Sequence, residues 1–231
     1  MKIFVGTMEH GELDFKNCAA AVARQQEVEL VHYVVSNKPE CAAHEDLFSK
    51  WNSVKQDYDL FLKVDADTVL SSDLVAKTLA DLFTVNERLT GIQAWLHDYM
   101  TDSMIYGLTC IRNTVTVATK VDPLYCDRVD SNHDVVLRGD QLPKELNPAG
   151  LHCHFASELQ AFYYGFHRGK KEQVEIHERV FKAWSVNKDH VRGMALMGFK
   201  FSRSNNIANY DDREFQDMYV AAKKEYDVLV L

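Results

Sequence analysis

The stretch Phe61-Leu62-Lys63-Val64-Asp65-Ala66-Asp67-Thr68-Val69-Leu70 decides the fold. Its apolar first half, taken with Asp59 and Leu60, reads as a strand over residues 59–64. Two carboxylates spaced i, i+2 follow at once. Ser71 or Ser72 then caps a helix expected to run to about Phe83, with Asp73 in its first turn. Working outward toward the amino end, the same alternation repeats twice. Residues 2–6 (KIFVG) are a short apolar run closed by glycine, as in a buried parallel strand. Residues 13–26 are alanine-rich, with Phe15, Ala19, Val22 and Ala23 near one helical face. Residues 29–36 (ELVHYVVS) are β-branched and aromatic, a second strand. Residues 41–56 read as a helix carrying Leu47, Trp51 and Val54. Strand, helix, strand, helix, strand implies a doubly wound open α/β sheet. Such sheets take ligands beyond the carboxyl ends of their strands, where the Asp pair falls.

Beyond that unit the pattern loosens. Residues 91–97 and 105–112 read as strands, 114–119 are ambiguous, and 121–150 are turn-rich and acidic. Phe155, Leu159, Phe162 and Phe166 share a helical face, so residues 155–169 are expected to be helical, with Gly169, Lys170 and Lys171 as stop signals. A last helix is expected over about 211–226, with Phe215, Met218, Tyr219 and Ala222 on one face. With no repeat, low-complexity tract or linker, the 231 residues read as one α/β domain, with portions over 1–90 and 91–172 and a helical portion over 173–231.

Composition narrows the function classes. At 46% hydrophobic and 26% charged residues, the chain has the makeup of a globular protein. Twenty-six Lys and Arg against 34 Asp and Glu give a formal charge of −8, which argues against a broad nucleic-acid surface. No apolar run is long enough to span a membrane. The five cysteines show no CxxC pair, and the amino-terminal residues lack the apolar core of a signal peptide. Reduced thiols in a cytoplasmic protein are therefore expected.

The candidate chemistry begins at Asp65-Ala66-Asp67. Paired carboxylates past a strand suit one hard divalent cation, Mn2+ or Mg2+, whose other positions take phosphate oxygens and water. The competing reading is two solvated turn residues ahead of a helix. Gly150-Leu151-His152-Cys153-His154 is the second constellation. Histidines at i, i+2 on a strand share a face, so His152 or His154 could complete the metal shell. Satisfied histidines of no special role are the alternative, and no Cys/His spacing completes a self-contained zinc site. Lys55, and Lys170 within the His167-Arg168-Gly169-Lys170-Lys171 cluster, could meet a diphosphate, against ordinary solvated roles. Asp127, Asp130, His133 and Asp134 are candidates for a general base, against a polar loop.

FLKVDADTVL after two βα units resembles the GT-A nucleotide-sugar glycosyltransferases, especially those like family 2. Ala21-Val22-Ala23-Arg24-Gln25 looks like the helix end before their second strand. Residues 150–171 (GLHCHFASELQAFYYGFHRGKK) look like their late segment with a metal-binding His. The resemblance covers about residues 1–172. It implies a GT-A-like doubly wound mixed sheet with a Rossmann-like amino-terminal half and a helical carboxyl-terminal portion, residues 1–90 being the nucleotide-binding half and 91–172 the acceptor and metal half. It further implies that Asp67 binds Mn2+ or Mg2+ bridging the diphosphate, that Asp65 meets the metal's water or the ribose, and that His152, ahead of His154, is the late ligand. Thr7 and Glu9 beyond the first strand, and Ser36 and Asn37 beyond the second, would lie near the base of a nucleotide-sugar donor, a UDP-sugar being favoured. Asp134 or Asp130 would deprotonate an acceptor hydroxyl of unspecified identity in an inverting transfer. The chain departs from family 2 in carrying Gly6-Thr7-Met8-Glu9 where Pro-x-Tyr-Asn is usual, and in lacking the Gln-x-x-Arg-Trp of processive synthases. DADTV also fits the first motif of haloacid-dehalogenase-like phosphatases, with Asp65 as nucleophile. A non-catalytic module that binds a nucleotide or metal is the remaining alternative.

Overall fold

The computed structural model describes residues 1–118, 123–125, 130–131, 134–203 and 213–230. The chain divides into two compact units, one formed by Met1–Asp98 and Met104–His154, the other by Tyr99–Ser103 and Phe155–Leu231.

The first unit is a mixed α/β layer structure. Its elements in chain order are β1 (Lys2–Glu9), α1 (Phe15–Ala23), β2 (Glu29–Ser36), α2 (Glu40–Val54), β3 (Leu60–Lys63), β4 (Thr68–Leu70), α3 (Val75–Val85), β5 (Leu89–Asp98), β6 (Ser103–Arg112), β7 (Val117–Ala118), β8 (Asp130–Ser131), β9 (Val135–Arg138) and β10 (Gly150–His152). The main sheet has the order β2-β1-β3-β6-β5-β10-β4. β1 runs parallel to β2 and β3, whereas β6 is antiparallel to β3. Along β5, β9 pairs over Leu89–Gln93 and β10 pairs over Leu96–Asp98, both parallel. β4 closes the edge, antiparallel to β10. This mixed sheet is compatible with a GT-A-like α/β fold.

Period-two alternation builds a core on each face. Ile3, Val5, Leu60 and Leu62 join Val22 of α1 and Leu79 and Phe83 of α3 in one cluster. Phe4 and Phe61 point the other way, into Leu47, Phe48 and Trp51 of α2. Trp51 stacks on Phe61 at 5.2 Å between ring centroids. Burying such aromatic side chains on both faces is what makes strands this short persist.

Three differences from the sequence expectations bear on the site. β1 does not stop at Gly6 but continues to Glu9, in register with β2 to its last residue, Ser36. α3 begins at Val75, because Thr68–Leu70 pair with β10 as a strand. Ser71 is no cap; its N–H donates to the Ala149 carbonyl at 3.0 Å, while Ser72 Oγ accepts the Leu74 N–H just ahead of the helix. Within residues 114–119, Val117 and Ala118 form β7, paired with β8.

The second unit is helical: α4 (Glu158–Lys170), α5 (Val174–Asn187), α6 (His190–Ser202) and α7 (Arg213–Val230). α4 starts later than its apolar spacing suggests, because Ser157 caps it by accepting the Gln160 N–H at 3.1 Å. Phe155 is thereby left outside the helix and exposed, while Phe162 and Phe166 are fully buried. α4 and α6 approach backbone to backbone: a Cβ on Gly198 would lie 2.1 Å from the Phe162 carbonyl oxygen. Among the described residues no helix is long and apolar enough to cross a membrane.

Candidate metal centre

Three neighbouring strands carry the candidate ligands. β10 lies between β4 and β5, and its last residue, His152, pairs with Thr68 on one side and Asp98 on the other. Asp67 immediately precedes β4, so sheet register alone brings Asp67, His152 and Asp98 together. Gly150 permits the close fit, since a Cβ there would lie 2.8 Å from the Val69 carbonyl oxygen. The turn is tied by the Thr68 N–H donating to Asp65 O and the Cys153 N–H donating to Asp67 O, each at 2.9 Å.

His152 is held at both ring nitrogens. Nδ1 lies 2.7 Å from Asp98 Oδ1 and Nε2 lies 3.4 Å from Asp67 Oδ2. The Asp98 side chain is fully buried. Cys153 Sγ is 3.2 Å from Asp67 Oδ2 and 3.7 Å from His152 Nε2. Asp67, His152 and Cys153 thus offer three ligand atoms all within 4.8 Å of one another, a group that could hold a metal ion.

Electrostatics sharpen this description. Burial works to lower the His152 imidazole, but Asp67 and Asp98, with Asp65 behind them, raise it to about 9. Burial, followed by Asp67 and Asp98, pushes the Cys153 thiol well above its ordinary value. Burial likewise works to raise the Asp65 carboxyl, yet the Lys63 ammonium in contact with it holds it below the ordinary range. The carboxyl groups of Asp65, Asp67 and Asp98 therefore face Lys63 and a protonated His152. A bound divalent cation would take the place of the Nε2 proton, because a ligating imidazole must be neutral. A buried carboxyl behind the other ring nitrogen is the usual support of a metal-ligating histidine.

The expected site residues separate into those the fold assembles and those it does not. Asp67 and His152 meet. Asp65 is engaged by Lys63 and stands outside the three-atom group. Ala66 is buried between the two carboxylates. His154 does not share the face of His152 as strand alternation suggested. β10 ends at His152, and Cys153 takes a left-handed φ of 58°. That twist turns His154 toward His97, with 3.5 Å between Nε2 and Nδ1, and brings the Cys153 thiol alongside His152.

Glu9, Ser36 and Asn37 lie side by side at the carboxyl ends of β1 and β2, where the Asn37 N–H donates to Glu9 O at 3.0 Å. Thr7, expected beyond the strand, is instead a fully buried member of β1, and its Oγ1 lies 2.9 Å from His32 Nε2. Lys55 sits ahead of the amino end of β3, donating to Thr116 Oγ1 at 2.9 Å, so the structure does not bring it to Asp65 and Asp67. Asp134 is not brought to Asp67 and His152 either. Its N–H donates to Thr90 Oγ1 at 3.0 Å. Thr90 and Asp98 lie at opposite ends of β5, about 26 Å apart at about 3.3 Å per residue. Asp130 pairs with Ala118 through its backbone, and its side chain, with Asp127 and His133, lies outside the described residues. Lys170 belongs to the second unit, at the end of α4.

Two residues escaped the sequence reading. Asp98 ends a strand expected to stop at His97, and a carboxylate at a strand's carboxyl end was the available signal. Cys153 was not singled out as a ligand, because no Cys/His spacing completes a self-contained zinc site, although it adjoins His152.

No protein-family model matches the chain, and no curated protein matches it in sequence. Among solved structures, the chain is similar in part to A197 from STIV, with a TM-score of 0.37 and 12% identity over 48% of this chain. That match spans 65% of A197, less than two thirds of its length. It is also similar to the mannosyltransferase PcManGT from Pyrobaculum calidifontis, solved in complex with GDP-Man and Mn2+. There the TM-score is 0.38 and the identity 9%, over 98% of this chain and 86% of that one. Likenesses this low do not bear on function.

Proposed function

We propose that the chain is a metal-dependent glycosyltransferase whose first unit binds a nucleotide-diphosphate sugar and passes the sugar to an acceptor hydroxyl. The observation that carries this reading is the line Asp67–His152–Asp98, with His152 Nδ1 2.7 Å from a fully buried Asp98. It lies at the carboxyl ends of β5 and β10, the edge at which open α/β sheets receive ligands. The donor set fits a divalent cation: an oxygen from Asp67 and a nitrogen from His152 would hold it, and Asp98 would fix the imidazole tautomer by accepting the Nδ1 proton. Lys63 offsets the charge of Asp65, keeping that carboxylate within the turn and available to a ribose hydroxyl or a bound water. Glu9, Ser36 and Asn37 are the groups proposed to meet the nucleoside. When bound, the cation supplies Lewis acidity to the diphosphate leaving group, whose charge grows as the sugar–oxygen bond breaks. The phosphatase alternative would use Asp65 as nucleophile, and the assay below separates the two.

A donor-consumption assay tests the proposal. UDP- and GDP-hexoses are incubated with the protein and a series of divalent cations, and nucleoside diphosphate release is followed. One donor should be consumed, with activity lost on chelation and in Asp67→Ala. Hydrolysis of an aryl phosphate with both donors untouched would replace the transferase with a phosphatase. Binding without turnover would leave a recognition module.

A further inference from the structure

We propose that Cys153 is a third protein ligand of this centre and that its thiolate makes the site one for a borderline cation such as Zn2+ or Co2+ in preference to Mg2+ or Mn2+. The inference rests on the reading of Asp67 and His152 as ligands and goes beyond it in naming the sulfur and the class of cation.

The first support is the shape of the donor triangle. Tetrahedral zinc with bonds of about 2.0–2.2 Å to nitrogen and oxygen and about 2.3 Å to sulfur requires edges of about 3.4 Å between N and O and about 3.6 Å to S. The edges here are 3.4 Å from His152 Nε2 to Asp67 Oδ2, 3.2 Å from Asp67 Oδ2 to Cys153 Sγ, and 3.7 Å from His152 Nε2 to Cys153 Sγ. An octahedral hard cation with bonds of about 2.1 Å asks for adjacent donors about 3.0 Å apart. The nitrogen–oxygen edge matches the tetrahedron, the two edges to sulfur fall on either side of its value, and one ion can reach all three atoms.

The backbone supplies a second, independent support. In a continuous strand, residues 152 and 153 would face opposite sides of the sheet. The left-handed φ of 58° at Cys153, unusual for a residue with a Cβ, brings the thiol to the His152 side, and the Cys153 N–H holds that turn by donating to Asp67 O. The strained residue is itself bonded to the ligand-bearing turn.

Donor chemistry decides the cation. Carboxylate and water suit Mg2+ and Mn2+, imidazole suits Zn2+ and its neighbours, and thiolate strongly favours the softer ions. Three protein donors leave one tetrahedral position for an oxygen from outside the protein, as at catalytic zinc sites. Binding forms one metal–sulfur bond while the thiol proton passes to solvent, so neither oxidant nor reductant is required.

The test is a Co2+ titration of the full chain followed by absorption. A near-ultraviolet sulfur-to-cobalt charge-transfer band and intense tetrahedral visible bands should grow to one equivalent and be abolished by Zn2+. Cys153→Ser, checked for folding by circular dichroism, should lose the charge-transfer band and bind Co2+ at least 10-fold more weakly. X-ray absorption at the zinc edge of the unmodified protein should find one sulfur at about 2.3 Å, a measurement needing no variant. Absence of the band, or its persistence in Cys153→Ser, would overturn the proposal. If cations still bind in an Asp67-dependent way without sulfur, only this inference fails. If no divalent cation binds the unmodified protein, the metal reading fails with it.

Discussion

At the scale of single residues, the account turns on His152 and the two carboxyls around it. Asp98 does not reach the cation directly; it accepts from the far side of the imidazole at 2.7 Å. Asp98→Asn should therefore weaken cation affinity by roughly 10- to 100-fold while the fold persists. Isothermal titration of the variant checks this, and an unchanged affinity would detach Asp98 from the site. His152 also sets a pH dependence. Against burial, Asp67 and Asp98 hold its imidazole at about 9 in the folded protein, above the ordinary 6.5. In the chelated protein the imidazolium's stabilisation is fully present below pH 6.5 and is lost as pH rises through about 9. The stability difference between the unmodified protein and His152→Gln should shrink across that window in denaturant titrations. Over the same range cation affinity should rise, as the competing proton leaves. Asp67 was legible in the sequence because it stands where an apolar strand gives way to paired carboxylates, and His152 because it belongs to a histidine pair within which the family resemblance singles it out. Asp98 and Cys153 were not. Asp98 meets His152 across 54 residues through strand register, and Cys153 faces it only because of one left-handed backbone angle.

At the scale of elements, the site is a product of the ribbon β4–β10–β5. Gly150→Ala would put a Cβ against the Val69 carbonyl, a backbone atom that cannot rotate aside. It should destabilise the protein by about 1–3 kcal/mol through overpacking and weaken cation binding as β10 shifts. Chemical denaturation and a cation titration of the same variant measure both. Asp134 gives the converse case. Held near Thr90 at the start of β5, Asp134→Asn should leave cation and donor binding unchanged, and a loss of either would show that this end of the strand takes part. Of the elements, β2 was legible to the residue, because its β-branched run is bounded by polar residues on both sides. β4 was not, since three residues are too few to show alternation and the following serines imitate a helix cap. α5 carries exposed Val174, Phe181 and Val186, and the packing of Gly198 of α6 against α4 does not appear as an apolar stripe.

At the scale of the whole molecule, strand–helix alternation announced a doubly wound sheet, and the aromatic and aliphatic residues of β1 and β3 fill the core on each face. The central claim is that the carboxyl-end turn of this sheet binds a nucleoside diphosphate through a cation held by Asp67 and His152. Calorimetric titration of UDP and GDP into the protein, with and without Mn2+ or Zn2+ and repeated on Asp67→Ala, tests it most directly. The account predicts cation-dependent binding of one nucleotide that disappears in Asp67→Ala. Binding that is indifferent to the cation or survives in Asp67→Ala, or no binding to either nucleotide, would contradict it.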